Sequence, residues 1–145
     1  MIFEHLGLSV VDLDRSIAFY CNAMEMELVG ESHFSGEQYS RLLGLTDVKG
    51  RVAVLQGCGM RLELFQFLNP PPAGADPARP VANYGITHFG LAVANIEDVY
   101  RRLKAVGALF HCAPLTFPGI GSATYGRDPD GNVFELLERG AKVHK

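Results

Sequence analysis

His5-Leu-Gly-Leu-Ser-Val10 returns later in the chain as His88-Phe-Gly-Leu-Ala-Val93, with four of the six positions identical. The residues that follow correspond in kind, Val11-Asp-Leu-Asp14 against Ala94-Asn-Ile-Glu97, and each run leads into a helical pattern. Near the end of each half comes a Glu-Leu pair, in Glu63-Leu64-Phe65 and again in Glu135-Leu136-Leu137. Self-similarity of this kind marks two copies of one supersecondary unit. Between the copies lies Asn69-Pro-Pro-Pro-Ala-Gly-Ala-Asp-Pro-Ala-Arg-Pro80. Proline supplies no backbone donor and stiffens the chain, so this segment is expected to be a linker and not a central strand.

Period orders the elements within a copy. Residues 3–10 form a short apolar run rich in strand formers. Asp14 is the expected N-cap of a helix carrying Ile17, Phe19, Tyr20 and Met24. A strand is expected from residue 25 through 30 and beyond. Residues 51–56 and 60–67 read as strands joined by Gly57-Cys-Gly59, a hairpin signal. In the second copy, a strand over 88–93 precedes a helix over 96–106 that closes at Gly107, where glycine suits the C′ position. Strands then follow over 108–112, 122–127 and 132–138, the last two joined by Asp128-Pro-Asp-Gly131. Each half is therefore β-α-β-β-β, and the fold class is α+β. The expected organisation is one domain made of module one (1–68), linker (69–84), module two (85–140) and a short tail (141–145) that holds His144.

Composition narrows the class. The 145 residues are 48% hydrophobic and 20% charged, with a formal net charge of −3, which is the balance of a globular chain. Mild acidity argues against nucleic-acid binding, and the one basic cluster, Arg101, Arg102 and Lys104, reads as the wet face of a helix. Three unpaired-looking cysteines point to a reducing compartment. Met1-Ile-Phe-Glu-His-Leu-Gly7 has no basic n-region and carries a charge at Glu4, so it is not expected to act as a signal peptide. Residues 105–125 carry no Asp, Glu, Lys or Arg, but Pro114, Pro118, Gly107, Gly119 and Gly121 break the stretch as a membrane helix. A cytoplasmic protein acting away from membranes is expected.

The polar residues of the repeat carry the chemistry. Side chains alternate faces along a strand, so Glu63 faces away from Leu62 and Leu64, and Glu135 faces away from Phe134 and Leu136. His5 and His88 hold matching places at the first strand of each copy. A carboxylate set among strand hydrophobics is costly unless it is paired or metal-bound. Two histidines and two glutamates at equivalent positions thus suggest four ligands converging about a pseudo-twofold axis, suited to Zn, Ni, Co, Fe or Mn. The competing reading is that the glutamates lie on the solvated face of an antiparallel sheet and that duplication copied them without a function. His33, His111 and His144 have no counterpart in the other copy.

The sequence resembles the vicinal oxygen chelate superfamily, which includes glyoxalase I, methylmalonyl-CoA epimerase, extradiol dioxygenases and the fosfomycin- and bleomycin-resistance proteins. The resemblance rests on His5-Leu-Gly-Leu-Ser-Val, Asp14-Arg-Ser-Ile-Ala-Phe-Tyr20, Arg61-Leu-Glu-Leu-Phe65, Ile86-Thr-His-Phe-Gly-Leu-Ala-Val93 and Arg127-Asp-Pro-Asp-Gly-Asn-Val-Phe-Glu-Leu136. It implies two βαβββ modules whose mixed sheets curve around a cleft holding one divalent metal ion. His5, Glu63, His88 and Glu135 match the metal-ligand positions, and a His/Glu/His/Glu set looks like glyoxalase I. The implied activity is that of an isomerase or lyase that binds a substrate through adjacent oxygens. Glu135 or Glu63 would then remove a proton next to a carbonyl. An Fe(II) extradiol-type dioxygenase ranks second, since four protein ligands leave few open positions, and a metal-free binding or resistance protein third. Arg61 and Phe65 share the Glu63 face and are candidate substrate contacts, with Tyr125 and Arg51 beside them. The expected partners are a small-molecule substrate and a second copy of the chain in a homodimer.

Overall fold

Each half of the chain builds its own mixed sheet. The computed structural model describes residues 1–74 and 76–140. The chain divides into two units, Met1–Ala75 and Asp76–Lys145. The tail at 141–145, His144 included, lies outside the described residues.

The first unit runs β1 (Leu6–Ser9), α1 (Leu13–Met24), β2 (Glu27–Ser35), α2 (Glu37–Leu43), β3 (Lys49–Gly57) and β4 (Met60–Asn69). Its sheet order is β1-β4-β3-β2, with β1 parallel to β4 and the other pairs antiparallel. Asp12, and not Asp14, caps α1: its carboxylate accepts from the Arg15 amide at 3.1 Å. The earlier start aligns Leu13, Ser16, Tyr20 and Ala23 at helical spacing on one face, all fully buried. That face packs across β3 and β4, whose Ala53, Leu55, Leu62 and Leu64 are likewise without solvent exposure. Each buried leucine contributes about 1.5–3 kcal/mol. The β3–β4 hairpin turns through Cys58 (φ 52°) and Gly59 (φ 71°). Positive φ at both central residues matches the right-handed twist of the flanking strands. Helix α2 was not expected; it forms between Gly36 (φ 96°) and Gly44 (φ 66°).

The second unit runs β5 (Phe89–Ala92), α3 (Ile96–Ala105), β6 (Leu109–Phe110), β7 (Leu115–Phe117), β8 (Gly121–Arg127) and β9 (Val133–Arg139). Its order is β5-β9-β8-β6, with β7 also on β8 and β5 parallel to β9. The Asn95 side chain caps α3 by accepting from the Asp98 amide at 3.1 Å, and Gly107 (φ 99°) follows its end. Helix α3 packs on β9, and Ile96, Leu103, Phe134 and Leu136 are buried. Strand β7 is an addition to the expected order, a three-residue strand between Pro114 and Pro118.

Part of the expected linker belongs to the second unit. Arg127 donates from Nη1 to the Pro77 carbonyl at 3.2 Å and from Nη2 to the Arg79 carbonyl at 2.7 Å. A Cβ at Gly131 would stand 2.4 Å from the Pro77 oxygen, so the turn needs glycine for this approach as well as for its φ of 83°. Asp128, 3% exposed, holds the turn from inside: its Oδ1 accepts from the Asp130 and Asn132 amides and its Oδ2 from the Asn132 side chain. Among the described residues no helix is long and apolar enough to cross a membrane.

Candidate functional site

The parallel pairing of first and last strands places the repeat's polar residues. Gly7 is opposite Glu63 in one sheet, and Gly90 is opposite Glu135 in the other. His5 and His88 stand two residues before those glycines, just ahead of β1 and β5. His5 Nε2 lies 3.5 Å from Glu63 Oε2, and His88 Nε2 lies 3.6 Å from Glu135 Oε2. Gly90 leaves room for the second pair, since a Cβ there would already touch Glu135 Oε2 at 3.4 Å; at Gly7 a Cβ would meet Phe65 Cε2 at 3.7 Å. The glutamate side chains are 19% and 23% exposed, so both are sheltered and neither lies on a fully wet face.

The separations carry chemical information. Both exceed the usual N–H···O range. Two donors each held about 2.1 Å from one ion at a tetrahedral angle lie roughly 3.4 Å apart. Imidazole nitrogen with carboxylate oxygen is a donor set for borderline divalent metals. The donors of each pair therefore fit as co-ligands of a metal ion. The other ring nitrogens are engaged: His5 Nδ1 meets the Glu4 carboxylate, and His88 Nδ1 lies 2.9 Å from the Thr87 hydroxyl.

The candidate substrate contacts separate by strand parity. In the β3–β4 ladder Val52 faces Phe65 and Val54 faces Glu63, so Phe65 and Arg61 share the Glu63 face. Arg61 stands with Nη1 3.8 Å from Glu4 Oε1 and Nε 4.0 Å from Glu63 Oε1. That Nε is buried and has no hydrogen-bond partner among the described residues. Phe65 stacks on Phe67, with centroids 6.1 Å apart, and meets Phe34 edge-on at 5.8 Å. In the second unit Tyr125 is registered against Glu135, with its ring 4.7 Å from the His88 ring. Burial first, and the Glu135 charge second, push the Tyr125 hydroxyl above its ordinary pKa. Arg51 does not join these residues. It falls on the helix-covered face with Ala53 and Leu55, and pairs with Asp14 at 2.8 Å and Glu31 at 2.6 Å. Its hydrogen bonds to Asp14, more than its charge alone, lower that carboxyl's pKa. An odd residue number in β3 placed Arg51 away from the glutamate, because β4 runs antiparallel and pairs even positions of β3 with odd ones of its own.

His111 is a residue that the repeat did not signal, having no counterpart in the first copy. Its amide donates to the Tyr125 carbonyl at 2.9 Å, and its ring meets Tyr125 edge-on at 6.2 Å. Arg127 Nε lies 3.0 Å from His111 Nε2. Guanidinium can only donate, so Nε2 accepts and the imidazole proton sits on Nδ1. Burial first, then the Arg127 charge, lower the His111 pKa. The unfolded chain therefore takes up a proton here before the folded one does. This stabilisation is whole above the unfolded value of about 6.5 and is lost as pH falls through it toward the folded value. We expect His111→Gln, whose amide oxygen can still accept from Arg127, to lose less stability than wild type between pH values just above and well below that point. Denaturant midpoints at the two pH values measure it; equal acid losses in both proteins would refute the assignment.

Comparison with known proteins bears on the fold and the family. The family model of the Glyoxalase/Bleomycin resistance protein/Dioxygenase superfamily matches residues 2–136. A lactoylglutathione lyase of Arabidopsis thaliana is 26% identical over 95% of this chain, and the chain spans only 44% of that relative's length. Among solved structures, a glyoxalase family protein from Bacillus cereus superposes with a TM-score of 0.86 at 24% identity, covering 96% of this chain and 94% of that one. A fosfomycin resistance protein mutant from Listeria monocytogenes, complexed with Mn(II) and 1S,2S-dihydroxypropylphosphonic acid, gives a TM-score of 0.67 at 18% identity over 98% of this chain and 94% of that one.

Proposed function

Because the chain belongs to the Glyoxalase/Bleomycin resistance protein/Dioxygenase superfamily, we propose that it is a divalent-metal-dependent isomerase or lyase of the glyoxalase type. The observation that carries this reading is the twin His–Glu pairs, at 3.5 and 3.6 Å, in matching register of two repeated units. His5, Glu63, His88 and Glu135 are the ligands. The kinship with lactoylglutathione lyases supports a substrate formed from a thiol and an α-ketoaldehyde, and the Mn(II) complex of a protein of like fold supports the metal. When bound, the metal supplies Lewis acidity to adjacent substrate oxygens and so lowers the cost of removing the neighbouring carbon-bound proton. Glu135 or Glu63 receives that proton and returns it to the next carbon, which makes the conversion an isomerisation with no net oxidation. Arg61, Phe65 and Tyr125, on the same sheet faces as the glutamates, orient the substrate. The protein acts as a homodimer in this reading, and sedimentation tests that part.

The deciding measurement is elemental analysis of protein purified without chelator, beside His88→Ala. Stoichiometric Ni, Co, Zn or Mn that is lost in the variant, together with thioester formation from the hemithioacetal of methylglyoxal and glutathione, is the expected result. Protein that neither holds nor takes up metal would defeat the proposal, and predominant iron with oxygen uptake on a catechol would replace it with ring cleavage.

A further inference from the structure

The two histidines of the repeat are alike toward the glutamates and unlike behind. The residue preceding each one partners its Nδ1: Glu4 for His5, and Thr87 for His88. These are equivalent positions of the two copies, filled by a carboxylate in one and a hydroxyl in the other. An ionised carboxylate only accepts, so the proton of neutral His5 is held on Nδ1 and the Nε2 lone pair is left facing Glu63, 3.5 Å away. A hydroxyl both donates and accepts, so Thr87 dictates no tautomer to His88. The Arg61 charge stands near Glu4, with Nη1 3.8 Å from Glu4 Oε1. Arg61, Glu4, His5 and Glu63 thus form one polar cluster on the first unit.

We propose that Glu4 is a positioning residue that locks His5 in its Nδ1–H tautomer, making His5 the pre-set ligand of the pair of histidines, while His88 adjusts on binding. The proposal rests on the metal reading above for its consequence, but not for the tautomer. A carboxylate behind a ligating imidazole also raises its donor strength, and losing such a partner typically weakens metal binding about 10–100-fold. The chemistry does not require Glu4 to touch the metal. Its carboxylate oxygens are engaged by His5 and approached by Arg61, although the donor atoms of Glu4, His5 and Glu63 all lie within 4.8 Å of one another.

Imidazole ¹⁵N spectra of the metal-free protein, at a pH where His5 is neutral, test the first part. Wild type is expected to show a protonated Nδ1 and an unprotonated Nε2 at His5. Glu4→Gln, whose amide oxygen still accepts, should keep that pattern, whereas Glu4→Leu should move it toward the Nε2–H form. Titration with Co²⁺ against a competing chelator tests the second part: a loss of about 10–100-fold in Glu4→Leu, a smaller loss in Glu4→Gln, and a smaller loss in Thr87→Val than in Glu4→Leu. Unchanged His5 spectra in Glu4→Leu overturn the proposal. So does loss of Co²⁺ binding with an unchanged tautomer, which would make Glu4 a ligand. A Thr87→Val loss equal to that of Glu4→Leu overturns the asymmetry. If wild type binds no Co²⁺ while the spectra behave as described, the metal reading fails and the tautomer lock stands.

Discussion

Glu135→Gln is expected to fold as wild type and to lose roughly 10²–10⁴-fold in turnover, the usual worth of a positioned proton-transfer group. That is about 3–5 kcal/mol of transition-state stabilisation. The substitution conserves shape, and residue 135 lies on the sheet face opposite the buried Phe134 and Leu136, so the core is untouched. What changes is the ability to accept a proton and to hold a metal as an anion. Glu63→Gln separates the two glutamates: whichever variant keeps its metal but loses turnover identifies the proton acceptor, and whichever loses metal first identifies the stronger ligand. Stopped-flow or steady-state thioester formation, read beside metal content, measures both. Turnover unchanged in both variants would sink the proton-transfer mechanism.

The second large effect is on stability and comes from Arg127. Its guanidinium donates to the carbonyls of Pro77, Arg79 and Gly131 at 3.2, 2.7 and 3.0 Å and to His111 Nε2 at 3.0 Å, while being only 9% exposed. Hydrogen bonds to a charged group are worth about 1.5–3 kcal/mol each, and carbonyls that regain water offset part of that. Arg127→Met is therefore expected to cost about 3 kcal/mol in chemical denaturation and to open residues 77–79 to proteolysis. Arg127→Lys should recover little, because a single ammonium cannot serve four acceptors spread around a planar fork. An unchanged midpoint with the segment still protected would show that these contacts carry no stability.

The contacts of Arg127 lie beyond what a local sequence pattern encodes. The motif Arg127-Asp-Pro-Asp-Gly131 was legible as a turn from Pro and Gly alone, yet its arginine works on backbone oxygens some fifty residues earlier in the chain. Carbonyl oxygens have no sequence identity, so no residue pattern in the proline-rich stretch could have announced the contact. Arg51 went astray for a related reason. Its chemistry suited a substrate anion, but pairing register set its face, and register depends on the hairpin at Cys58-Gly59 and on which side α1 covers. Asp14 was displaced as helix cap by Asp12 because burial of Leu13, at 0% exposure, set the helix phase.

By itself the sequence determined the duplication, the order of the main elements of each half without α2 and β7, and the matching places of one histidine and one glutamate in each copy. These are properties of local period and of repetition, which survive in any arrangement of the chain. Tertiary structure decided the rest: that β1 and β5 run parallel beside β4 and β9, bringing His5 within 3.5 Å of Glu63 and His88 within 3.6 Å of Glu135. It also decided that Arg61 and not Arg51 shares the Glu63 face, and that Glu4 and Thr87 stand behind the two imidazoles. Distances between residues far apart in the chain follow from strand register and side-chain rotamer, and neither is encoded by composition or spacing alone.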